Sequence, residues 1–351
     1  VTDVDDRITV HDGGRRAPAW WRYRGDGIPA DDDARTRLPD PPRWRTFRGH
    51  PAQPAPPDDE DVDRKLGQID SDRLRRPSRR EGDMVNAAIL LRRPLLVTGL
   101  PGTGKSSIAF RIARELRLGR VLQWPITSRT TLRAGLYEYD AIGRAQAAKE
   151  AADGPAGPDV SIGDFVRLGP LGTALLGYPR PRVLLIDELD KSDIDLPNDL
   201  LHTFENGEFT VPELVRARRR EPEVSVYTDD PDRTATVRDG WVRCHAFPIV
   251  VITSNGEREF PPAFLRRCLR LELQPPDADD LAVMIRAQLP ELGDEQRGLI
   301  DDFLARMSSD ALARDQLLNA VFLTTSGAYA DDGEGWQSLI SAVWHSLSAE
   351  R

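Results

Sequence analysis

Short apolar runs that end on polar residues recur through the middle of the chain and set its architecture. Pro94 to Thr98, Val121 to Ile126, Val183 to Ile186 and the centre of "FPIVVITSNGE" show no alternation, which predicts strands buried on both faces. "LRRCLRLELQPP" predicts a fifth strand, just after two arginines. Met84 to Leu91 predicts a short helix feeding the first strand. Ile108, Ile112 and Leu116 recur at helical spacing up to a stop at Gly119. "FVRLGPLGTALLGYPRP" carries a short helix, and "LLHTFENGEFTVPEL" and "VSVYTDDPDRTATVRDGWVRC" predict a helix and then a hairpin around a polar turn. Beyond Pro276 every apolar stripe is helical: Leu281, Met284, Ile285 and Leu289, then Leu299 to Met307, then Leu339 to Leu347. The pattern predicts an α/β body over residues 83–275 followed by a small all-α lid over residues 276–351.

Ahead of this body, residues 1–82 are rich in Pro, Asp and Arg, with "AWWRYRGDGIP" and "LPDPPRWRTFRG" standing out. Trp20, Trp21, Trp44 and Phe47 are too many large aromatics for a solvated tail, since disordered segments are poor in them. An extended arm is expected, packed on its own body or on a neighbouring subunit.

The apolar run at Leu95 opens into "LLVTGLPGTGKSS", which contains Gly99-x-x-x-x-Gly104-Lys105-Ser106. A strand, a glycine turn and a helix start in that order aim backbone N–H groups and the helix dipole at an anion, and phosphate is the natural occupant. Gly99, Leu100, Pro101, Gly102, Thr103, Gly104, Lys105, Ser106 and Ser107 are the candidate nucleotide-binding residues. Lys105 would reach the β- and γ-phosphates and the Ser106 hydroxyl would ligate Mg2+. Only 4 of the 48 basic residues are lysines, so a lysine at this place carries more information than any arginine.

In-line attack of water on a γ-phosphate needs charge neutralisation, a positioned water and a base. The run Val183 to Ile186 closes on Asp187-Glu188, and carboxylates at the end of a buried strand are costly unless a cation or substrate awaits them. Asp187 would hold Mg2+ together with Ser106, and Glu188 would polarise the water. Asn255, at the end of the next strand, would hold that water or contact the γ-phosphate; a satisfied turn asparagine is the alternative. Arg266 and Arg267 stand at the start of the last strand.

The order "GLPGTGKS", "VLLIDELDK", "VVITSN", "FLRRC" and then a helical lid resembles the AAA+ ATPases, and among them the MoxR family, over roughly residues 83–351. The resemblance implies a three-layer αβα core with a parallel five-stranded sheet. In it Gly99 to Ser106 are the Walker A loop, Asp187 and Glu188 the Walker B pair and Asn255 sensor 1. Arg267 is the arginine finger, with Arg266 as fallback, and Arg314 in "LARDQLLNAVF" takes the sensor-2 role. The resemblance also implies ATP and Mg2+ as cofactors, self-assembly into a hexameric ring and a protein client. By position, residues about 128–146 form a helix-2 insert and residues about 208–244 a hairpin preceding sensor 1, both bordering the ring pore. Tyr137 and Tyr139 of the insert would grip a substrate chain there or simply pack. The Trp/Arg/Pro arm and "LYEYDAIGR" resemble MoxR-type ATPases associated with bacterial conflict systems.

Composition trims the alternatives. A net charge of −9 argues against a general nucleic-acid-binding surface, although Arg216, Arg218, Arg219 and Arg220 form a local basic run. No window approaches 18 uncharged apolar residues and "VTDVDDRITV" has no signal-like core, so no membrane span is expected and the cytoplasm is the expected location. Two cysteines, Cys244 and Cys268, make no disulfide framework, and five scattered histidines show no metal-ligand spacing. Three functions fit: an oligomeric ATPase remodelling a protein partner, a nucleic-acid-directed motor or loader, and a nucleotide-gated switch with little turnover.

Overall fold

The five apolar runs become one parallel sheet in the computed structural model, which describes residues 18–30, 37–67, 77–153 and 160–275 together with Asn319 and Phe322. Its strands are β1 (Leu95–Thr98), β2 (Leu122–Pro125), β5 (Val183–Asp187), β10 (Ile249–Ser254) and β11 (Leu269–Glu272), in the spatial order β11-β1-β10-β5-β2. Leu95 pairs with Val251 and Leu269, Val183 with Ile249 and Asp187 with Pro125, so every strand runs the same way and their polar C-terminal ends share one edge.

Helices cover both faces, which is why the strands read as continuous apolar runs. They are α1 (Val62–Leu66), α2 (Arg79–Leu91), α3 (Ser107–Glu115), α4 (Leu132–Leu136), α5 (Ala141–Asp153), α6 (Pro170–Ala174), α7 (Leu196–Asn206), α8 (Pro212–Ala217) and α9 (Pro262–Leu265). Side chains alternate across the sheet. Leu95, Val97, Leu185 and Val251 pack with Val85 and Ile89 of α2 and Ile108 and Ile112 of α3. Leu96, Leu184, Ile186 and Ile252 pack with Leu171 of α6, Leu200 and Phe204 of α7 and Phe264 of α9. The core is the expected three-layer α/β arrangement around a five-stranded parallel sheet.

A second, mixed sheet lies beside it: β3 (Tyr137–Tyr139), β4 (Val166–Leu168), β7 (Glu223–Tyr227), β8 (Thr234–Arg238), β9 (Trp241–Arg243) and β6 (Glu208–Thr210), in that spatial order. Residues 208–244 are thus more than a hairpin. β6 pairs with β9 and encloses both α8 and the β7–β8 hairpin, and β4 joins this unit to β3 of the segment around residue 137. Tyr137 is 5% exposed, stacks on Phe209 and donates a hydrogen bond from its hydroxyl to Glu213 at 3.0 Å. It is a packing residue, and a gripping role does not fit its burial. Tyr139 is half-buried and accepts a hydrogen bond from Arg144 at 2.9 Å.

Within the described residues the N-terminal arm packs on its own body. Trp21 and Tyr23 are buried against α2 and α3. Asn86 of α2 accepts the backbone N–H groups of Arg22 and Tyr23 and donates to the Tyr23 carbonyl. Glu115, wholly buried at the end of α3, accepts the N–H groups of Arg24 and Gly27, so a carboxylate that would be costly alone is satisfied by the arm. A methyl group on Gly82 would lie 2.0 Å from the Trp21 ring, which fixes how closely the arm and α2 approach. Further on, the Arg45 guanidinium sits 4.3 Å from the Phe247 ring centre and 5.1 Å from that of Phe47, and donates to the carbonyls of Arg92 and Phe204. Helix α2 begins at Arg79, ahead of the boundary drawn at residue 82, because the Ser78 hydroxyl caps it by accepting the Glu81 N–H at 3.1 Å. The lid expected over residues 276–351, including Arg314, lies outside the described residues apart from Asn319 and Phe322.

One buried ion pair ties the two sheets together. Arg182, next to the first residue of β5, donates to both carboxylate oxygens of Asp230 in the β7–β8 turn, at 2.6 and 2.9 Å, and to the Tyr178 hydroxyl. Hydrogen bonding to Asp230 opposes the desolvation that would lower the arginine pKa, and the balance raises it. Removing one partner strands the other charge in the interior. Asp230→Ala is therefore expected to destabilise the fold by about 3–5 kcal/mol, read as a drop in the urea midpoint.

Candidate functional site

The shared C-terminal edge of the parallel strands is where the chain places its polar residues. After β1 the backbone turns through Gly99, Leu100, Pro101, Gly102, Thr103 and Gly104 before α3 starts at Ser107. Gly99, Gly102 and Gly104 have φ of 150°, 76° and 83°, conformations that side chains disfavour. At Gly99 a methyl group would also stand 2.7 Å from the Leu273 carbonyl. The Thr103 hydroxyl closes the loop by donating to the Leu100 carbonyl at 2.9 Å.

Lys105 is buried and folds back over this loop, donating to the carbonyls of Gly99 and Leu100 at 2.9 and 2.8 Å. Burial lowers its pKa from the usual lysine value, while Asp190, Glu188 and Asp187 act in the opposite direction. An ammonium held in a glycine-lined turn at a helix N-terminus matches the needs of a polyphosphate.

The carboxylates arrive on β5. Asp187 Oδ1 accepts two hydroxyl hydrogen bonds of 2.7 Å each, from Ser106 at the start of α3 and from Thr253 near the end of β10. Thr253 Oγ1 in turn accepts the Glu188 N–H at 2.8 Å, holding Glu188 at a φ of 60°. This left-handed conformation is uncommon for a residue with a side chain. It turns the chain off the strand, so that Asp187 and Glu188 point to different partners. The Asn255 amide donates to Glu188 Oε1 at 3.2 Å, and Lys191 ion-pairs with Oε2 at 2.8 Å. That pairing, with its hydrogen bond to Glu188 as the largest cause, raises the Lys191 pKa.

Beneath this layer, Asp190 is buried and its Oδ2 accepts the N–H groups of Asn255 and Glu257, which sets the loop carrying Asn255 against the turn carrying Glu188. Asp190, Lys191 and Thr253 were not singled out as site residues from the sequence. The available signal was position: Asp190 and Lys191 continue "IDELDK", and Thr253 precedes Asn255 on the same strand.

The donor set fits a nucleotide with its metal. Ser106 and Asp187 present hard oxygen donors within one hydrogen bond of each other beside Lys105, as Mg2+ requires. The positive φ of Gly99, Gly102 and Gly104 lets the turn take a conformation that points backbone N–H groups at an anion. Arg266 and Arg267 are not part of this cluster. They end α9 at the opposite edge of the sheet, where Arg93 donates to both of their backbone carbonyls. Arg267 lies 3.7 Å from Glu205 and donates to the Ala263 carbonyl. Four-residue strands at about 3.3 Å per residue separate the two edges, so these arginines cannot reach the P-loop of their own chain. Both cysteines are buried and free, and desolvation pushes each thiol pKa up to about 12, so they take no part in the site's chemistry. Among the described residues no helix is long and apolar enough to cross a membrane.

None of the curated proteins matches the chain. Among solved structures it is similar to the S. cerevisiae Hsp104–ADP complex, with 15% identity and a TM-score of 0.41 over 75% of this chain and 45% of that one. It is also similar to NtrX from Brucella abortus in complex with ADP, with 15% identity and a TM-score of 0.32 over 68% and 48% of the two chains. The NtrX complex with ATP shows 14% identity and a TM-score of 0.36 over 73% and 53%. The chain spans about half the length of these structures. Residues 94–268 match the family model of the AAA domain, dynein-related subfamily. The match opens on the residue before β1, takes in the glycine loop, Asp187, Glu188 and Asn255, and closes one residue after Arg267. Residues 94–268 of this chain are therefore similar to an AAA domain.

Proposed function

We propose that the protein binds ATP with Mg2+ and hydrolyses it in a ring of identical copies, using the cycle to remodel a protein partner in the manner of the MoxR family. The observation that supports this is the hydrogen-bond chain Ser106–Asp187–Thr253–Glu188–Asn255, which brings the glycine loop together with side chains suited to hold a metal and to act as a base at the ends of three adjacent strands.

Lys105 would exchange the Gly99 and Leu100 carbonyls for the β- and γ-phosphate oxygens, and the loop N–H groups would line the phosphates. Ser106 and Asp187 would hold Mg2+, which when bound offsets charge on the β- and γ-phosphates. Glu188 would accept the proton of the attacking water, and Asn255 would orient the Glu188 carboxylate through the amide contact it already makes. A site meant only to bind nucleotide needs no base at this place, which favours turnover over a switch. Arg267, or Arg266, would complete the site of the neighbouring copy, since neither reaches its own.

A nucleic-acid-directed motor is the second function with a specific observation behind it. Arg216, Arg218, Arg219 and Arg220 at the end of α8 are exposed and have no carboxylate partner among the described residues. Turnover stimulated by DNA or RNA but by no protein would favour that function.

Lys105→Ala is expected to abolish nucleotide binding, while Glu188→Gln should bind ATP normally and lose roughly 10²- to 10⁴-fold in phosphate release. Wild-type turnover by Glu188→Gln would show that Glu188 is not the base. Arg267→Ala should bind ATP yet turn over about 10³- to 10⁵-fold more slowly. Mixed one to one with Lys105→Ala, it should regain activity, because intact loops of one mutant meet intact arginines of the other. Absence of recovery in proven mixed assemblies, or full activity of Arg267→Ala alone, would move the role to Arg266 or to catalysis within one chain.

A further inference from the structure

The most exposed large hydrophobic side chain among the described residues is Trp44, at 81%. It stands on a short turn, Arg43–Arg45, whose last residue is among the most firmly held in the arm. Arg45 is buried between Phe47 and Phe247 and bonded to the Arg92 and Phe204 carbonyls. The turn is thus pinned, and the indole is presented to solvent by a rigid mount rather than by a loose tail. A tryptophan buries on the order of 150–250 Å² when it packs, so one held out on such a mount offers a large contact area to a partner.

Its neighbours identify the face. Arg92 and Phe204, which hold Arg45, adjoin Arg93 and Glu205, and these contact Arg266 and Arg267. Trp44 therefore shares a surface with the two arginines assigned to a neighbour's nucleotide. Arg43, Arg93, Arg266 and Arg267 make that surface basic, with Glu205 as the acid paired to Arg267.

The nucleotide edge is the complement in both respects. Leu100 and Ile194 expose apolar side chains at 53% and 62%; exposed Asp193 and Asp195 flank Ile194 in the chain, and the Asn255 loop adds exposed Glu257 and Glu259 against exposed Arg258 and Lys191, the latter paired with Glu188. The two faces end the same parallel strands at opposite edges, so one chain cannot bring them together. Two copies arranged head to tail can, and a heterologous contact of that kind repeats around a ring. Opposite charge steers such faces together, and a central aromatic anchor supplies much of the affinity.

We propose that Trp44 is the arm's anchor in the contact between copies, docking onto the nucleotide edge of the next copy beside Ile194 and its flanking aspartates. The arm then fixes the arginine-bearing edge of one subunit against the ATP of the next. This rests on the reading that ATP is hydrolysed between copies.

The test uses the full chain with a non-hydrolysable ATP analogue. Hydroxyl-radical footprinting of the wild type should show Trp44 oxidised in the monomer and protected after assembly, with Ile194 protected in step. Trp44→Ala should weaken assembly at least tenfold in sedimentation velocity while leaving analogue affinity unchanged. Trp20→Ala serves as the control: Trp20 is also exposed, at 43%, but lies near the start of α2 rather than its end, and its loss should leave assembly as in the wild type. Asp193→Lys with Asp195→Lys should weaken assembly as well. A wild type that stays monomeric with bound analogue would overturn both this proposal and the ring. Assembly with Trp44 still oxidised, protection already complete in the monomer, or equal losses from Trp44→Ala and Trp20→Ala would overturn the anchor and leave the ring standing.

Discussion

A carboxylate at the end of a buried strand has to find hydrogen-bond donors, and most of this site follows from the two that Asp187 finds. Its Oδ1 takes the hydroxyls of Ser106 and Thr253 at 2.7 Å each, which ties the first turn of α3 and the end of β10 to the end of β5. Because β1, β10 and β5 are adjacent and parallel, one oxygen can register all three. The same threonine oxygen then holds the Glu188 N–H, and the left-handed turn at Glu188 sends its carboxylate towards Asn255 and Lys191. The glycine loop and the side chains proposed as metal pair and base are thus positioned by backbone register and one shared oxygen, with little reliance on flexible surface side chains. Such preorganisation is what electrostatic catalysis requires, since donors already in place need no reorganisation at the moment of reaction.

How much of this was legible in the sequence depended on the distance between partners. The glycine loop could be read because its pieces are contiguous, and its context of strand and helix start is carried by Leu95 to Leu116. Asp187-Glu188 could be read because four apolar residues leading into two acids have no bland explanation in a sheet buried on both faces. Asn255, Arg266 and Arg267 were visible only through the order of motifs. Thr253 and Asp190 received no site role, since a threonine in a strand and an aspartate in a turn each have ordinary uses, and their work consists of contacts 66 and 65 positions away in the chain.

The second sheet showed only in its β7–β8 hairpin, and the rest stayed hidden for a different reason. β3, β4, β6 and β9 are three residues long, too short for alternation to register, and β4 meets β7 through a single pair, Arg167 with Tyr227. Nothing local marks "YEY" as a strand, so Tyr137 read equally well as an exposed grip. The arm shows the converse case. Its aromatic content signalled packing, but nothing in the sequence singled out Glu81 and Glu115, the helix acids that receive it. They are buried at 1% and 0% because Tyr23 donates its hydroxyl to the first and the Arg24 and Gly27 backbone donates to the second. An acid on a helix cannot declare its burial when its donors lie 58 to 91 residues upstream.

The arm and the second sheet share a mechanical consequence. Arg45 bonds the arm to the C-terminal ends of α2 and α7, and Arg182 bonds the start of β5 to the turn of the β7–β8 hairpin through Asp230. Both clamps act near the N-terminal edge of the sheet, away from the phosphate loop. A buried arginine with satisfied donors is specific in direction as well as stabilising, because its planar fork accepts partners only in fixed positions. The edge that bears Arg266 and Arg267 is consequently stiffened by elements from outside the parallel sheet, while the nucleotide edge is organised from within it. A site completed by a neighbouring copy needs both properties: the phosphate side must be built by one chain alone, and the arginine side must be held rigid enough for its position to be set by the contact between chains.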